Sequence, residues 1–247
     1  MPGSSLWLIP PESHPLHGTI TSLIASVLPS NFPTEAGGDG GTSPVLFAPH
    51  MTLTSEILPS TYGGDSGPSE KEREEEKQRA QEWLDTLPLP PASHVRVRLE
   101  SVDTQDIFFR RCFIRVGYDG VKEIVGVARE HGVVRGGVGG GSTASSGQDT
   151  HGQPGTISQT TEEWLAWWKE AYGPHVSLIY GSTPITDEKL SQISKTVEEA
   201  GVKLGASAAT LTDSTTEEGA GWEGGMVWLV PTDRPIAEWK PIATRLL

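Results

Sequence analysis

The sequence predicts an α+β fold built mainly on antiparallel strands. Short apolar runs with strand alternation and longer runs with helical spacing follow one another irregularly, which does not suit a parallel βαβ series. In addition, one five-residue pattern occurs twice, far apart in the chain, each time at the head of a strand.

Taken in order, residues 6–9 read as a strand stopped by Pro10 and Pro11. Leu16, Ile20, Leu23, Ile24, Val27 and Leu28 then repeat at helical spacing, and Pro29 is expected to end that helix. A Gly-rich connection at residues 37–41 leads to Val45, Leu46 and Phe47, and an alternating run at residues 50–57 predicts a strand. Ser69 and Glu72 form a capping box for a charged helix reaching about Leu84. Residues 95–102 and 107–116 read as strands, and Val121, Ile124, Val125 and Ala128 mark one face of a helix. Residues 132–155 are nearly all Gly, Ser, Thr and other polar residues. They predict a disordered insertion, with too few apolar side chains to offset their ordering entropy. Thr160 and Glu163 cap a helix carrying Trp164, Leu165, Trp168 and Tyr172 on one side. Next come a strand at residues 175–180, a helix at 187–200, a strand near Val202 and a last strand at 226–230.

Bulk composition excludes several functions. The chain of 247 residues carries a formal charge of −13, which argues against wrapping long nucleic acid, where affinity comes from neutralising phosphates. A small anion remains compatible, because a pocket need not share the sign of the whole molecule. Cys112 is the single cysteine, so neither an intramolecular disulfide nor a multi-thiolate zinc site can form, as suits a reducing compartment. The N-terminus lacks a signal-peptide pattern, and no apolar run approaches the ~20 residues of a membrane span. The expectation is a soluble protein with no membrane insertion.

The repeated pattern is Pro49-His50-Met51-Thr52-Leu53, echoed as Pro174-His175-Val176-Ser177-Leu178. Residues two apart on a strand share a face. His50 and Thr52 therefore point one way, as do His175 and Ser177, with apolar residues behind. Two such strands side by side would converge four polar groups on one cavity. Phosphodiester hydrolysis uses that inventory: a base for the attacking water, an acid for the departing alkoxide, and donors for the equatorial oxygens. Imidazole suits both proton transfers, and the set requires neither metal nor cofactor. A third match, His17-Gly18-Thr19, falls in the first turn of a helix off its apolar stripe and is set aside.

On these motifs the chain resembles the two-histidine phosphoesterase superfamily, and within it the fungal 2′,3′-cyclic-nucleotide 3′-phosphodiesterases. The start Leu6-Trp7-Leu8-Ile9-Pro10-Pro11, both His motifs and the run at residues 101–109 carry the likeness. The resemblance implies a single bilobal catalytic domain over 1–247, with two antiparallel sheets and outer helices around a central cleft. It implies hydrolysis of nucleoside 2′,3′-cyclic phosphates to 2′-phosphates, and of ADP-ribose 1″,2″-cyclic phosphate from tRNA splicing. It assigns His50 and His175 to catalysis and Thr52, Ser177 and Tyr180 to the phosphate. Strand parity opposes Tyr180, an odd step from His175, unless the strand ends at Gly181.

Trp7 is assigned to substrate binding by stacking, against the commoner fate of core packing. Trp164, Trp167 and Trp168 are expected to pack. Arg96, Arg98, Arg110, Arg111 and Arg115 make the basic concentration, expected as a solvated sheet face, with guidance of an anionic substrate as the functional alternative. The rival functions are action on 2′–5′ linked or cyclic-phosphate-ended RNA, and non-catalytic RNA binding in the same cleft. The expected setting is intracellular and cytoplasmic, as a monomer, with Golgi association implied by the resemblance alone.

Overall fold

The computed structural model describes residues 3–37, 43–64, 69–135, 160–205 and 219–247. Eight strands are described: β1 (Ser4–Ile9), β2 (Met51–Ile57), β3 (Arg96–Asp103), β4 (Cys112–Val116), β5 (His175–Ile179), β6 (Gly221–Glu223), β7 (Met226–Pro231) and β8 (Ala243–Leu246). They hydrogen-bond in the order β6-β3-β4-β5-β2-β1-β7-β8, and every neighbouring pair is antiparallel. The α+β fold therefore stands. In place of two separate sheets there is one continuous ladder, whose two four-stranded halves meet at a single bridge, Met51 to Val176.

Helices cover one face of this sheet. They are α1 (Pro15–Ser22), α2 (Leu28–Asn31), α3 (Pro33–Ala36), α4 (Glu70–Thr86), α5 (Lys122–Arg129), α6 (Thr161–Trp167) and α7 (Asp187–Glu199). Their buried residues, among them Leu16, Leu28, Ala80, Ile124, Trp164 and Ile193, join one core with Leu6, Leu8, Met51, Leu53, Ile114, Val176 and Leu229 of the strands. Alternation then turns Trp7 and Ile9 of β1 to the opposite face, where they pack with Val230, Met226, Trp228 and Trp239. That opposite face also carries the two histidines.

Local chemistry sets the element ends. Both expected capping boxes form, Ser69 with Glu72 and Thr160 with Glu163. His14 caps α1 by accepting from the Leu16 N–H at 3.2 Å. Pro29 does not end the first helix. A π turn at Leu23–Val27 widens the backbone just before it, and α2 restarts with Pro29 in its first turn, where no N–H is needed.

Two further expectations are corrected. Residues 107–111 are no strand: Phe108–Arg110 is a 3₁₀ turn, and the strand begins at Cys112. Val202 lies outside any strand, its N–H bonded back to Val197 at the end of α7. The edge strands β6 and β8 are additional. Of the expected insertion, residues 132–135 close the helical segment after α5, and the remainder lies outside the described residues.

Candidate active site

The Met51–Val176 bridge sets β2 antiparallel to β5. Carried one residue either way, this register places His50 opposite Ser177 and Thr52 opposite His175. Met51 and Val176 point into the core, both fully buried. The four polar groups consequently stand together on the other face, each imidazole beside the other motif's hydroxyl.

The two histidines are held in the same way. His50 Nδ1 lies 2.7 Å from the Ala48 carbonyl, and His175 Nδ1 lies 3.0 Å from the Gly173 carbonyl. A carbonyl only accepts, so each Nδ1 carries the proton and each Nε2 is left unprotonated in the neutral ring. In both cases the carbonyl belongs to the residue before the motif's proline, Pro49 or Pro174. Gly173 makes this geometry with φ 67 and ψ 139, a region that residues bearing a Cβ avoid.

Aromatic rings fix the imidazoles further. His50 is stacked on Trp7 at 3.8 Å and 11°. His175 lies between Phe113 and Tyr172, with ring centres 5.1 and 5.0 Å away. Burial drives the His50 pKa down from 6.5 to about 4, against an opposing pull from the Ala48 carbonyl. Burial also drives His175 down to about 3. Its second cause is the Arg110 charge, with smaller contributions from His50 and Arg115, all acting against the Gly173 carbonyl. Both imidazoles are neutral in the free protein at pH 7.

Ser177 donates to the Phe109 carbonyl at 3.1 Å, which ties β5 to the 3₁₀ turn before β4. The Tyr180 phenol bonds Ser177 as well, while burial raises its pKa. Because β5 ends at Ile179, strand parity no longer governs Tyr180. Its ring stacks on Phe47 at 3.8 Å and meets Phe109 and Trp239 edge-on. Thr52 also borders a cavity of about 60 Å³ that runs along β2 against Trp164, Trp167, Trp168 and Tyr172, and that neither histidine lines. Trp7 is only 2% exposed, and His50 covers a face of its ring.

The arginines differ from a solvated sheet face. Arg110 and Arg111 are buried. Arg111 donates to the Gly181 carbonyl at 3.0 Å and to Asp106 at 2.8 Å, holding the turn after Tyr180. Arg115 pairs with Asp103 at 2.6 Å. Arg96 and Arg98 face outward, paired with Glu223 and Glu100. Sequence reasoning grouped Arg110 with these cations but missed its place beside His175, because it expected a strand where the 3₁₀ turn lies.

His17 sits in α1. Cys112 is buried in the core and its thiol is pushed up to about 12, so it is not a reactive group. Among the described residues, no three His, Cys, Asp or Glu side chains come together as a metal-ligand set. Among the same residues, no helix is long and apolar enough to cross a membrane.

A family model described as "Cyclic phosphodiesterase-like protein" matches residues 1–247. A Neurospora crassa protein named 2′,3′-cyclic-nucleotide 3′-phosphodiesterase is 47% identical over 249 residues, covering 100% of both chains. Proteins of the same name from Phaeosphaeria nodorum and Yarrowia lipolytica are 32% and 24% identical, covering at least 98% of each chain.

Proposed function

The chain belongs to the cyclic phosphodiesterase-like family, and from that premise we propose that it hydrolyses nucleoside 2′,3′-cyclic phosphates to 2′-phosphates using side chains alone. The observation that supports this is the crossed register of the two motifs, which brings one imidazole from each strand to the same face of the sheet. Water attacks phosphorus and gives its proton to His175 Nε2. The P–O3′ bond breaks, and His50, neutral in the free protein and charged once the monoanion is bound beside it, delivers its Nε2 proton to O3′. The Arg110 and Arg115 charges near His175 favour its neutral form and so support it as the base.

Thr52, Ser177 and Tyr180 serve the equatorial oxygens, where charge accumulates, the Ser177 hydroxyl turning from the Phe109 carbonyl and the Tyr180 phenol from Ser177 to do so. Half-buried Phe47, Phe109 and Trp239 around Tyr180 offer flat faces to a base. Trp7 acts on His50 through stacking rather than on the base. ADP-ribose 1″,2″-cyclic phosphate presents the same strained five-membered ring and fits the same groups. The test is turnover of the four 2′,3′-cyclic nucleotides in EDTA, with the product identified. The 2′-phosphate alone is expected. Loss of turnover restored by a divalent ion, or a mixture of 2′- and 3′-phosphates, would overturn this reading.

A further inference from the structure

Arg110 is a buried cation that the proton transfers above do not use. It is 4% exposed and lies at the end of the 3₁₀ turn Phe108–Arg110. Its guanidinium sits 5.1 Å from the Phe113 ring centre and 4.6 Å from that of Tyr172. These are the two rings that flank His175, so guanidinium and imidazole share one aromatic frame. The turn that delivers Arg110 also supplies the Phe109 carbonyl bonded by Ser177.

Its hydrogen bonding is incomplete. One Nη donates to the Tyr172 carbonyl, while the buried Nε has no partner among the described residues. Nearby carboxylates are engaged elsewhere: Asp103 with Arg115 and Asp106 with Arg111. Burial disfavours the Arg110 charge, Asp103 offsets this only in part because it is paired with Arg115, and an anion entering the site would relieve the remaining cost. A cyclic phosphodiester is a monoanion, and a guanidinium fork matches its oxygens.

We propose that Arg110 is a substrate-binding residue of this site, its guanidinium taking the negative charge of the bound phosphodiester beside His175. The inference rests on the proposed function and names the charged contact that function requires. It also links binding to protonation. In the free protein the groups facing His175 are Arg110 from the turn, Arg115 from β4 with its Asp103 partner from β3, His50 ahead of β2, and Tyr172. A bound monoanion offsets the Arg110 charge, so His175 becomes a stronger base once substrate is in place.

The experiment compares Arg110→Met and Arg110→Lys with the unaltered protein, by kinetics and by titration with inorganic phosphate followed by NMR. Arg110→Met should raise KM by ~10–100-fold, the worth of a hydrogen bond to a charged group, and weaken phosphate by a similar factor. The upward movement of the His175 titration on phosphate addition should shrink. Arg110→Lys, which keeps the charge and loses the fork, should fall between. If Arg110→Met does not fold, the unaltered protein still decides, since its Arg110 Nε–H resonance should move saturably with phosphate. An unmoved resonance overturns the proposal, as does a folded Arg110→Met with unchanged KM and phosphate affinity. Failure of the unaltered protein to turn over cyclic phosphates would instead overturn the proposed function, while the phosphate titration still tests Arg110.

Discussion

At the residue scale, the two imidazoles are equivalent in their anchors and unequal in their charge neighbours. Each spends Nδ1 on a carbonyl two residues back, and His175 alone feels Arg110 strongly. His50→Ala and His175→Ala should each lower kcat by roughly 10²–10⁴, the usual worth of one general acid or base. The double variant should lose less than the product of the two, because both protons move in one displacement. Thr52→Ala and Ser177→Ala should cost less, on the order of 10–10³, each removing one donor to a developing charge. Assays of purified variants with folding checked by circular dichroism decide this, and an unaffected His175→Ala would end the reading. Trp7→Leu separates its two roles. Support of His50 predicts a fall in kcat with KM nearly constant, whereas a lost base platform would raise KM. The pH dependence follows from the same charges. A bound monoanion favours the charged imidazole, so both limbs of kcat should lie at higher pH than those of kcat/KM. Coincident limbs would show that the phosphate does not sit between the histidines.

At the element scale, the site depends on how two strands begin. The Ala48-Pro49-His50 and Gly173-Pro174-His175 entries each aim a carbonyl at the imidazole of their own strand. Gly173 reaches this through a positive φ, while a Cβ there would meet only Arg115 at 3.6 Å, an ordinary contact. Gly173→Ala should therefore act through backbone strain, costing about 1–3 kcal/mol in denaturant unfolding and lowering kcat by misaiming His175. Equal stability and activity would show that the φ is not required. The strand heads were legible because period-two alternation is a property of the residues themselves: His50, Thr52, His175 and Ser177 share a face in any strand. The capping boxes at Ser69 and Thr160 were legible for the same local reason. Features fixed by tertiary context were not. The Phe108–Arg110 turn is apolar enough to imitate a strand, and it turns because Phe108 and Phe109 supply carbonyls to Gly181 and Ser177. The helix passes Pro29 because a π turn absorbs the proline, which no periodicity announces. The strands β6 and β8 are short edge strands whose pairing partners, not their composition, define them.

At the scale of the whole molecule, α1 to α7 pack on one face of the sheet and the two histidine motifs lie on the other. The fold has buried two titratable imidazoles at the seam between its halves, and this couples stability to pH. In the native state His50 and His175 have pKa values of about 4 and about 3, against 6.5 for the ordinary group. Between those values the unfolded chain binds more protons than the native one, so unfolding free energy rises with pH across the window. The contribution is fully present above about pH 6.5 and is lost as the pH falls towards the native values. Ordinary carboxylates titrate mainly below pH 5, so the interval from pH 7 to 5 isolates histidine. Each of the two should then remove at most about 2 kcal/mol over that interval, since one pH unit of unequal protonation is worth 1.36 kcal/mol. Urea unfolding of the unaltered protein should weaken steadily from pH 7 to 5. His50→Gln with His175→Gln should flatten that slope, since glutamine takes up no proton. An equal slope in both proteins would mean that the imidazoles take up protons in the fold as readily as in the unfolded chain, and the depressed pKa values assigned to them here would fall with it.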